Sequence, residues 1–414
     1  MTNLQTTKRV LIIEENSRVP MDVRVWYEAT TLRDNGWDVT VICPASSTDL
    51  DANQKHLRDV EPVDLEGVLA YYFPLRKAKE GVVGFLEEYI TAFVSIFRLS
   101  WRVWRWKKFD VLHICNPPDM FFPMAFFYRL LGVGIIFDHH DLFPEFISHR
   151  YSGLLGKLLH VAARVMEYLT HQSAHLTITV NQSYGRLATS RGCVHPDNLS
   201  IVRNGPKAND FAPVEPVLEL KKGFPIMVSY LGVMGYGDGV PEMIDSIRYV
   251  LTELDRRDIL FVLIGDGAKR ADAMGKIQEW GLDKYVVMPG MVRDKQLLRQ
   301  YLSTSDICLS PEPLTPLNAH STFIKVGEYL AIGRPVVAYD LNETRWTAED
   351  AAIYVEPGDI QEYGRAIVRL ANSPDLREKM GEIGRNRILN LLSWEHQETY
   401  LLQAYEKVLT RRAK

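Results

Sequence analysis

IMVSYLGVMGYGDGV, Ile226 to Val240, decides the fold class: an apolar run breaks into a turn holding Gly232, Gly235, Gly237 and Gly239, and a helical pattern starts at Pro241. A strand that ends in glycines and restarts as a helix is the building unit of an open parallel sheet. Glycines at that position let backbone amides approach a diphosphate at the positive end of a helix. A tight strand-to-helix connection also demands glycine, so packing stands beside phosphate binding as a reading of this loop. The next strand, Leu260–Ile264, runs into IGDG with Gly265 and Gly267, which sets two such turns side by side.

Outward from this stretch, short apolar runs alternate with helical patterns to both ends, which predicts an α/β protein built on parallel sheets. Before it, strands are expected at Val10–Ile13, Val39–Cys43, Val111–Ile114, Gly134–Asp138, Leu176–Val180 and Ser200–Val202. After it they are expected at Val286–Met288, Ile307–Leu309, Val336–Ala338 and Ile353–Val355. Between the two series lies Asn204 to Lys222, with Pro206, Pro213 and Pro216 among alternating charges, the expected linker. The 414 residues therefore divide into a first doubly wound domain at 1–205, a second at 206–392, and a closing helix at 393–414, opened by Ser393, that packs back on the first.

With 46% hydrophobic and 24% charged residues the chain is globular, and its formal net charge of −4 supplies no global field for nucleic acid. The four cysteines form no C-x-x-C pair, which reads as a reducing compartment without a structural metal. No leader pattern precedes Val10, and Glu87, Glu88 and Arg98 interrupt the most apolar stretch, so a cytoplasmic, non-spanning protein is expected.

The stretch richest in chemistry is PEPLTPLNAHSTFIKVGEYLAIGRPVVA, Pro311 to Ala338. A helix is expected to begin near Ser321 and Thr322, either of which suits its cap. Lys325 and Glu328, three apart, share a face near its start. Free amides with an ammonium one turn in suit a diphosphate, and the carboxylate suits a vicinal diol such as ribose; the plain alternative is an exposed ion pair. A nicotinamide cofactor is disfavoured, because the glycines are not ordered G-x-G-x-x-G and Asp258 precedes its strand instead of ending it.

Taken together, VPMDVRVWYEA (Val19–Ala29), FDHHDLFPE (Phe137–Glu145), VRNGP (Val202–Pro206), YLGVMGYGDGV, IGDG, STFIKVGEYLAIGRPVVAYD and the SWEH of the last helix resemble the retaining glycosyltransferases of family 4, in a bacterial branch with HDLxPE and GVMGxxDGV motifs. The resemblance covers nearly the whole chain. It implies the GT-B fold of two facing Rossmann-like domains, a nucleotide-sugar donor on the second, an acceptor on the first, and no obligatory metal or other cofactor.

Residue by residue, Glu328 matches the second glutamate of the family's Glu-x7-Glu motif and is implied to bind the donor ribose, while His320 stands where the first glutamate belongs. The family's usual Arg and Lys of the phosphate loop are replaced around Val233 and Asp238. This leaves Lys325, with Arg203, as cations for the diphosphate beside Gly232, Gly235, Gly265, Ser321 and Thr322. His140 is implied to contact the transferred sugar, next to Asp141, with His139 as a packing residue. Asp22 and Arg24 fall where the family places acceptor or phosphate contacts, and a salt bridge of Arg24 with Asp22 or Glu28 is the equal alternative.

Implied is transfer to a hydroxyl of a lipid-linked or growing polysaccharide acceptor. The competing readings are a nucleotide-sugar epimerase on the same fold and a binding subunit without turnover. Trp101, Arg102, Trp104, Arg105, Lys107 and Lys108, in a stretch whose second part holds no acid, read as a patch for an anionic membrane surface, against packing of the aromatics into the core.

Overall fold

The computed structural model describes residues 7–45, 60–74 and 81–412. The chain divides into two compact units, one running to Arg203 and taking back Glu398 onward, the other Asn204–Gln397.

In the first unit the strands are β1 (Arg9–Ile13), β2 (Asp38–Pro44), β3 (Val63–Leu65), β4 (Val68–Phe73), β5 (Val111–Cys115), β6 (Gly134–His139), β7 (Leu176–Thr179) and β8 (Leu199–Ile201). They form one sheet in the order β3-β4-β2-β1-β5-β6-β7-β8, parallel except for the β3–β4 hairpin. Its helices are α1 (Val23–Asp34), α2 (Val82–Trp106), α3 (Phe122–Leu130), α4 (Phe143–Arg150), α5 (Gly153–Ser173) and α6 (Gln182–Ser190). The central strands are buried on both faces and therefore read as unbroken apolar runs, which made them visible in the sequence. The β3–β4 hairpin was not expected. Its two-residue turn puts Glu66 at φ 53° and Gly67 at φ 90°, and the Asp64 carboxylate accepts from the Gly67 amide (2.6 Å).

The second unit has β9 (Ile226–Leu231), β10 (Ile259–Ile264), β11 (Val286–Gly290), β12 (Ile307–Ser310), β13 (Val336–Tyr339) and β14 (Ala352–Val355), all parallel in the order β11-β10-β9-β12-β13-β14. Around it lie α7 (Val240–Thr252), α8 (Arg270–Glu279), α9 (Lys295–Thr304), α10 (Ile324–Ile332), α11 (Asn342–Ala348), α12 (Ile360–Ala371) and α13 (Pro374–Arg387), and a π-helical turn at Ile388–Leu392 leads to α14 (Trp394–Arg411). In both sheets the strand order reverses beside the first strand, β1 or β9. That is the switch point where ligands of open α/β sheets bind, outside the carboxyl ends of the strands. All four cysteines are free, and Cys43, Cys115 and Cys308 are buried.

The start of α14 is tied to the second unit, where the Trp394 amide donates to the Pro206 carbonyl (3.0 Å). From Glu398 on it packs on the first. Tyr405 and Val408 are fully buried there, and Arg412 donates to the Asp110 carboxylate (2.8 Å).

Candidate functional site

At the carboxyl edge of the first sheet the chain builds a closed network of charge. Asp138, the fifth residue of β6, is fully buried, and the Arg24 guanidinium meets it with both Nε (3.0 Å to Oδ2) and Nη2 (2.9 Å to Oδ1). The same Nη2 lies 3.1 Å from Glu28 Oε1, and Nη1 donates to the Val202 carbonyl (2.8 Å). His140 Nε2 reaches Asp138 Oδ2 at 2.7 Å and His113 Nε2 lies 3.4 Å from it, while His113 Nδ1 meets the Tyr405 hydroxyl of α14 at 2.7 Å. Burial alone would raise the Asp138 carboxyl, but Arg24 and His140 hold it well below the usual carboxylate range. Burial would likewise lower His140, yet Asp138 carries it up to about 9, so its imidazole stands as a cation at neutral pH. Its side chain keeps 13% exposure, leaving a charged edge open at the strand end.

Asn116, after β5, fixes the backbone on which His140 sits. Its Oδ1 accepts from the His140 amide (2.6 Å) and the Asp141 amide (3.2 Å), and its Nδ2 donates to the Asp141 carbonyl (2.7 Å). Asp141 itself is exposed. Beyond β1, Glu14 and Glu15 are buried, and burial, ahead of their acidic neighbours, raises them to about 8 and about 9. Glu14 accepts from the Asn16 (2.8 Å) and Ser17 (3.0 Å) amides through one oxygen. Its other oxygen, and one of Glu15, are buried without a partner.

Asp22 and Arg24 both have structural partners, and of the two readings of Arg24 the ion pair with Glu28 is the one present. Asp22 is the cap of α1, its carboxylate accepting from the Val25 amide (3.0 Å). Arg24, only 7% exposed, faces inward to Asp138, Glu28 and Val202, because a buried guanidinium must be paired; it is no open clamp for an acceptor.

Glu28, Cys115, Asp138 and His140 converge closely enough to suggest a metal, but Arg24 already places its positive charge among them. His139, Glu167 and His171 form a second convergent group, where Arg191 donates to Glu167 (2.7 Å) and to Glu145 (2.6 Å). Arg203 closes the first unit after β8.

In the second unit the glycine turns are explained by backbone crowding. A Cβ on Gly265 would lie 1.8 Å from the Gly232 carbonyl oxygen, and one on Gly232 would lie 2.7 Å from Lys325 Nζ. The Gly235 amide donates to Asp238 Oδ2 (2.9 Å), and Asn318 Nδ2 ties the glycine loop, through the Gly237 carbonyl (2.9 Å), to the loop before α10.

Lys325 is buried, its ammonium paired with Glu312 and 3.2 Å from the Tyr230 hydroxyl, over whose ring it sits at 4.5 Å. It is therefore no bare cation: Glu312, 1% exposed and also accepting from the Ser310 hydroxyl, neutralises it. Glu328, one turn further, is half-buried, and no described residue bonds its carboxyl; burial raises it to about 7, with Lys325 pulling the other way.

The capping expectation also fails. α10 starts at Ile324 with Phe323 as its cap residue, whose side chain offers its amides no acceptor, and Ser321 Oγ donates backward to the Leu317 carbonyl (3.0 Å). His320, Ser321 and Thr322 lie half-buried in the approach to that start.

The expected membrane patch on α2 is partly dismantled. Trp104 packs on Phe109 (4.9 Å) and Tyr128 (5.7 Å), Arg102 donates to the Val60 carbonyl (2.8 Å) and to Glu61 (3.2 Å), and Lys107 pairs with Asp38 (2.6 Å). Trp101, Arg105 and Lys108 stay exposed. Among the described residues no helix is long and apolar enough to cross a membrane.

Residues 21–207 match the family model described as Glycosyltransferase Family 4, and residues 225–373 match that described as Glycosyl transferases group 1. Similar proteins include an alpha-D-kanosaminyltransferase of Streptomyces kanamyceticus, 31% identical over 38% of this chain and 39% of that protein. Another is the MMP alpha-(1->4)-mannosyltransferase of Mycolicibacterium hassiacum, 22% identical over 64% of this chain and 60% of its own. The chain thus spans about half the length of the curated relatives it matches. Among solved structures, a sucrose-phosphate synthase of Thermosynechococcus elongatus superposes with a TM-score of 0.75 at 16% identity, covering 98% of this chain and all (100%) of that one. Anabaena HepE, solved in complex with UDP, superposes at 0.68 and 13% identity, covering 97% and 100%. The fold is GT-B, and both halves of the chain are glycosyltransferase domains.

Proposed function

We propose that this chain, two glycosyltransferase domains on a GT-B fold, moves a sugar with retention from a nucleoside diphosphate donor to a hydroxyl of a lipid-linked or growing polysaccharide acceptor, at the inner surface of the membrane. The observation that carries the reading is the start of α10, where the cap residue Phe323 offers the amides no side-chain acceptor, followed one turn on by the Glu328 carboxyl, which no described residue bonds. Amides without an internal partner suit a diphosphate, and a carboxylate free of protein partners suits the ribose diol. HepE, solved with UDP and with UDP-glucose, supports a donor of this class.

In the reaction the bond from the anomeric carbon to the diphosphate oxygen breaks and a bond to the acceptor oxygen forms on the same face. The acceptor proton passes to a departing phosphate oxygen. The growing charge on the diphosphate is met by the α10 amides and the Lys325 ammonium, fixed in place before reaction, which is where such stabilisation is strongest. His140, held by Asp138 and Asn116, presents a cationic N–H to a hydroxyl of the transferred sugar.

A thermal-shift panel of nucleoside diphosphates and nucleotide sugars tests the donor half of the reading, because a ligand that binds only the folded state raises its melting temperature. One base should stand out; a flat panel overturns the donor site. Conversion of the sugar in donor alone would support an epimerase, and a shift without transfer to any acceptor extract would support a binding subunit.

A further inference from the structure

The helix α5 carries a surface that none of the chemistry above uses. Leu154, Leu158, Val161, Val165 and Tyr168 recur at the spacing of one helix face, and each is between 41% and 77% exposed. Leu155, on the adjoining strip, is also exposed. The opposite face does the packing: Leu159, Ala163 and Met166 close on a cluster with Phe143 and Ile147 of α4 and Phe85 of α2. Beside that cluster α2 exposes a second row, Leu86, Ile90 and Val94, continued by Trp101. Soluble monomers seldom leave so many large apolar side chains in line.

The charges around these rows are mainly basic, with the exposed Glu87 and its neighbour Glu88 at the start of α2 as the exceptions. α5 carries Lys157 and Arg164, and its single acid, Glu167, is turned inward to Arg191. Along α2 from Tyr89 to its end the charged residues are Arg98, Arg102 and Arg105, and Arg98 and Arg105 are exposed. The cations along both rows, Lys157 and Arg164 on α5 with Arg98 and Arg105 on α2, outnumber Glu87 and Glu88. An anionic leaflet answers both features, taking the apolar row below its headgroups and the cations among them.

We propose that the outer face of α5, with the outer row of α2, docks the first unit on an anionic membrane surface. It rests on the reading above for its purpose, since a lipid-linked acceptor lies in that surface. The docking element is thus α5 more than the Trp104–Lys108 end of α2, where Trp104 and Lys107 are spent on internal packing and pairing.

The test uses the full chain and vesicles of phosphatidylcholine with and without phosphatidylglycerol. Wild type should sediment with the anionic vesicles and less so as salt rises. The triple variant Leu158→Ser, Val161→Ser, Val165→Ser should lose at least about tenfold in partitioning, from the apolar area withdrawn, with an unchanged thermal melt. Equal sedimentation with both vesicles, or full binding by the triple variant, overturns the proposal. So does a lipid-free dimer that the same substitutions split, which would make the face a contact between copies. Transfer to a water-soluble acceptor by both proteins is expected; if neither transfers anything while wild type still sediments as described, the docking face stands and the enzymatic reading falls.

Discussion

The two sheet edges treat charge in opposite ways. At the first, Arg24, Asp138, Glu28, His113 and His140 gather their charges against one another inside the protein. At the second, the cap residue of α10 offers the first amides no side-chain acceptor, and no described residue bonds the Glu328 carboxyl. A closed network holds geometry, and losing a member costs folding free energy. An open one withholds its interactions for a ligand, and losing a member costs affinity. Lys325 belongs to the first kind although it sits in the second unit.

The sharpest way to break this contrast is Arg24→Met, which strands Asp138 and Glu28 in the interior. Removing one partner of a buried ion pair costs ~3–5 kcal/mol, so the melting temperature should drop by many degrees. A melt within a degree of wild type would show that the network is not closed.

Next comes Lys325→Met, expected to lose ~2–4 kcal/mol by leaving Glu312 unpaired, and donor binding with it. Adding Glu312→Gln should return most of the stability and none of the binding. If the double variant recovers nucleotide binding as well, Lys325 serves only the fold.

The smallest effect on stability separates the open edge. With its carboxyl raised to about 7, Glu328 binds more protons folded than unfolded between the ordinary value of 4.5 and that point. Stability from this group is therefore greatest below 4.5 and falls as pH climbs to about 7. Glu328→Gln should remove that slope and raise stability at pH 8 by about 1 kcal/mol, while nucleotide affinity drops about tenfold, as for a lost hydrogen bond to a charged group. Unchanged affinity would take the carboxylate out of the donor site.

What could be read in the sequence follows from range. Strands of a doubly covered sheet are unbroken apolar runs, so nearly all were found within a residue or two. The β3–β4 hairpin escaped because its turn is Glu66–Gly67 in place of an Asn-Gly pair. Lys325 and Glu328 were legible as helix neighbours. Their environment was not, since Glu312 lies 13 residues before Lys325, across a loop with no periodicity. Arg24 finds Asp138 at a separation of 114 residues, which no spacing rule reaches, so cap, clamp and brace looked alike. Asn116 gave only the signal of a polar residue just past a buried strand.

The return of α14 orders events during synthesis. Domains of a growing chain tend to fold as they emerge, first part first. Here the first unit lacks Tyr405, which meets His113 beneath Asp138, and Val408, which fills the space over Gly134, until the entire second unit has been translated. The contact of His113 with Tyr405 is thus assembled last. A nascent chain therefore completes the sheet of the second unit before the first owns its full core, and the first unit is finished by residues that emerge after the second.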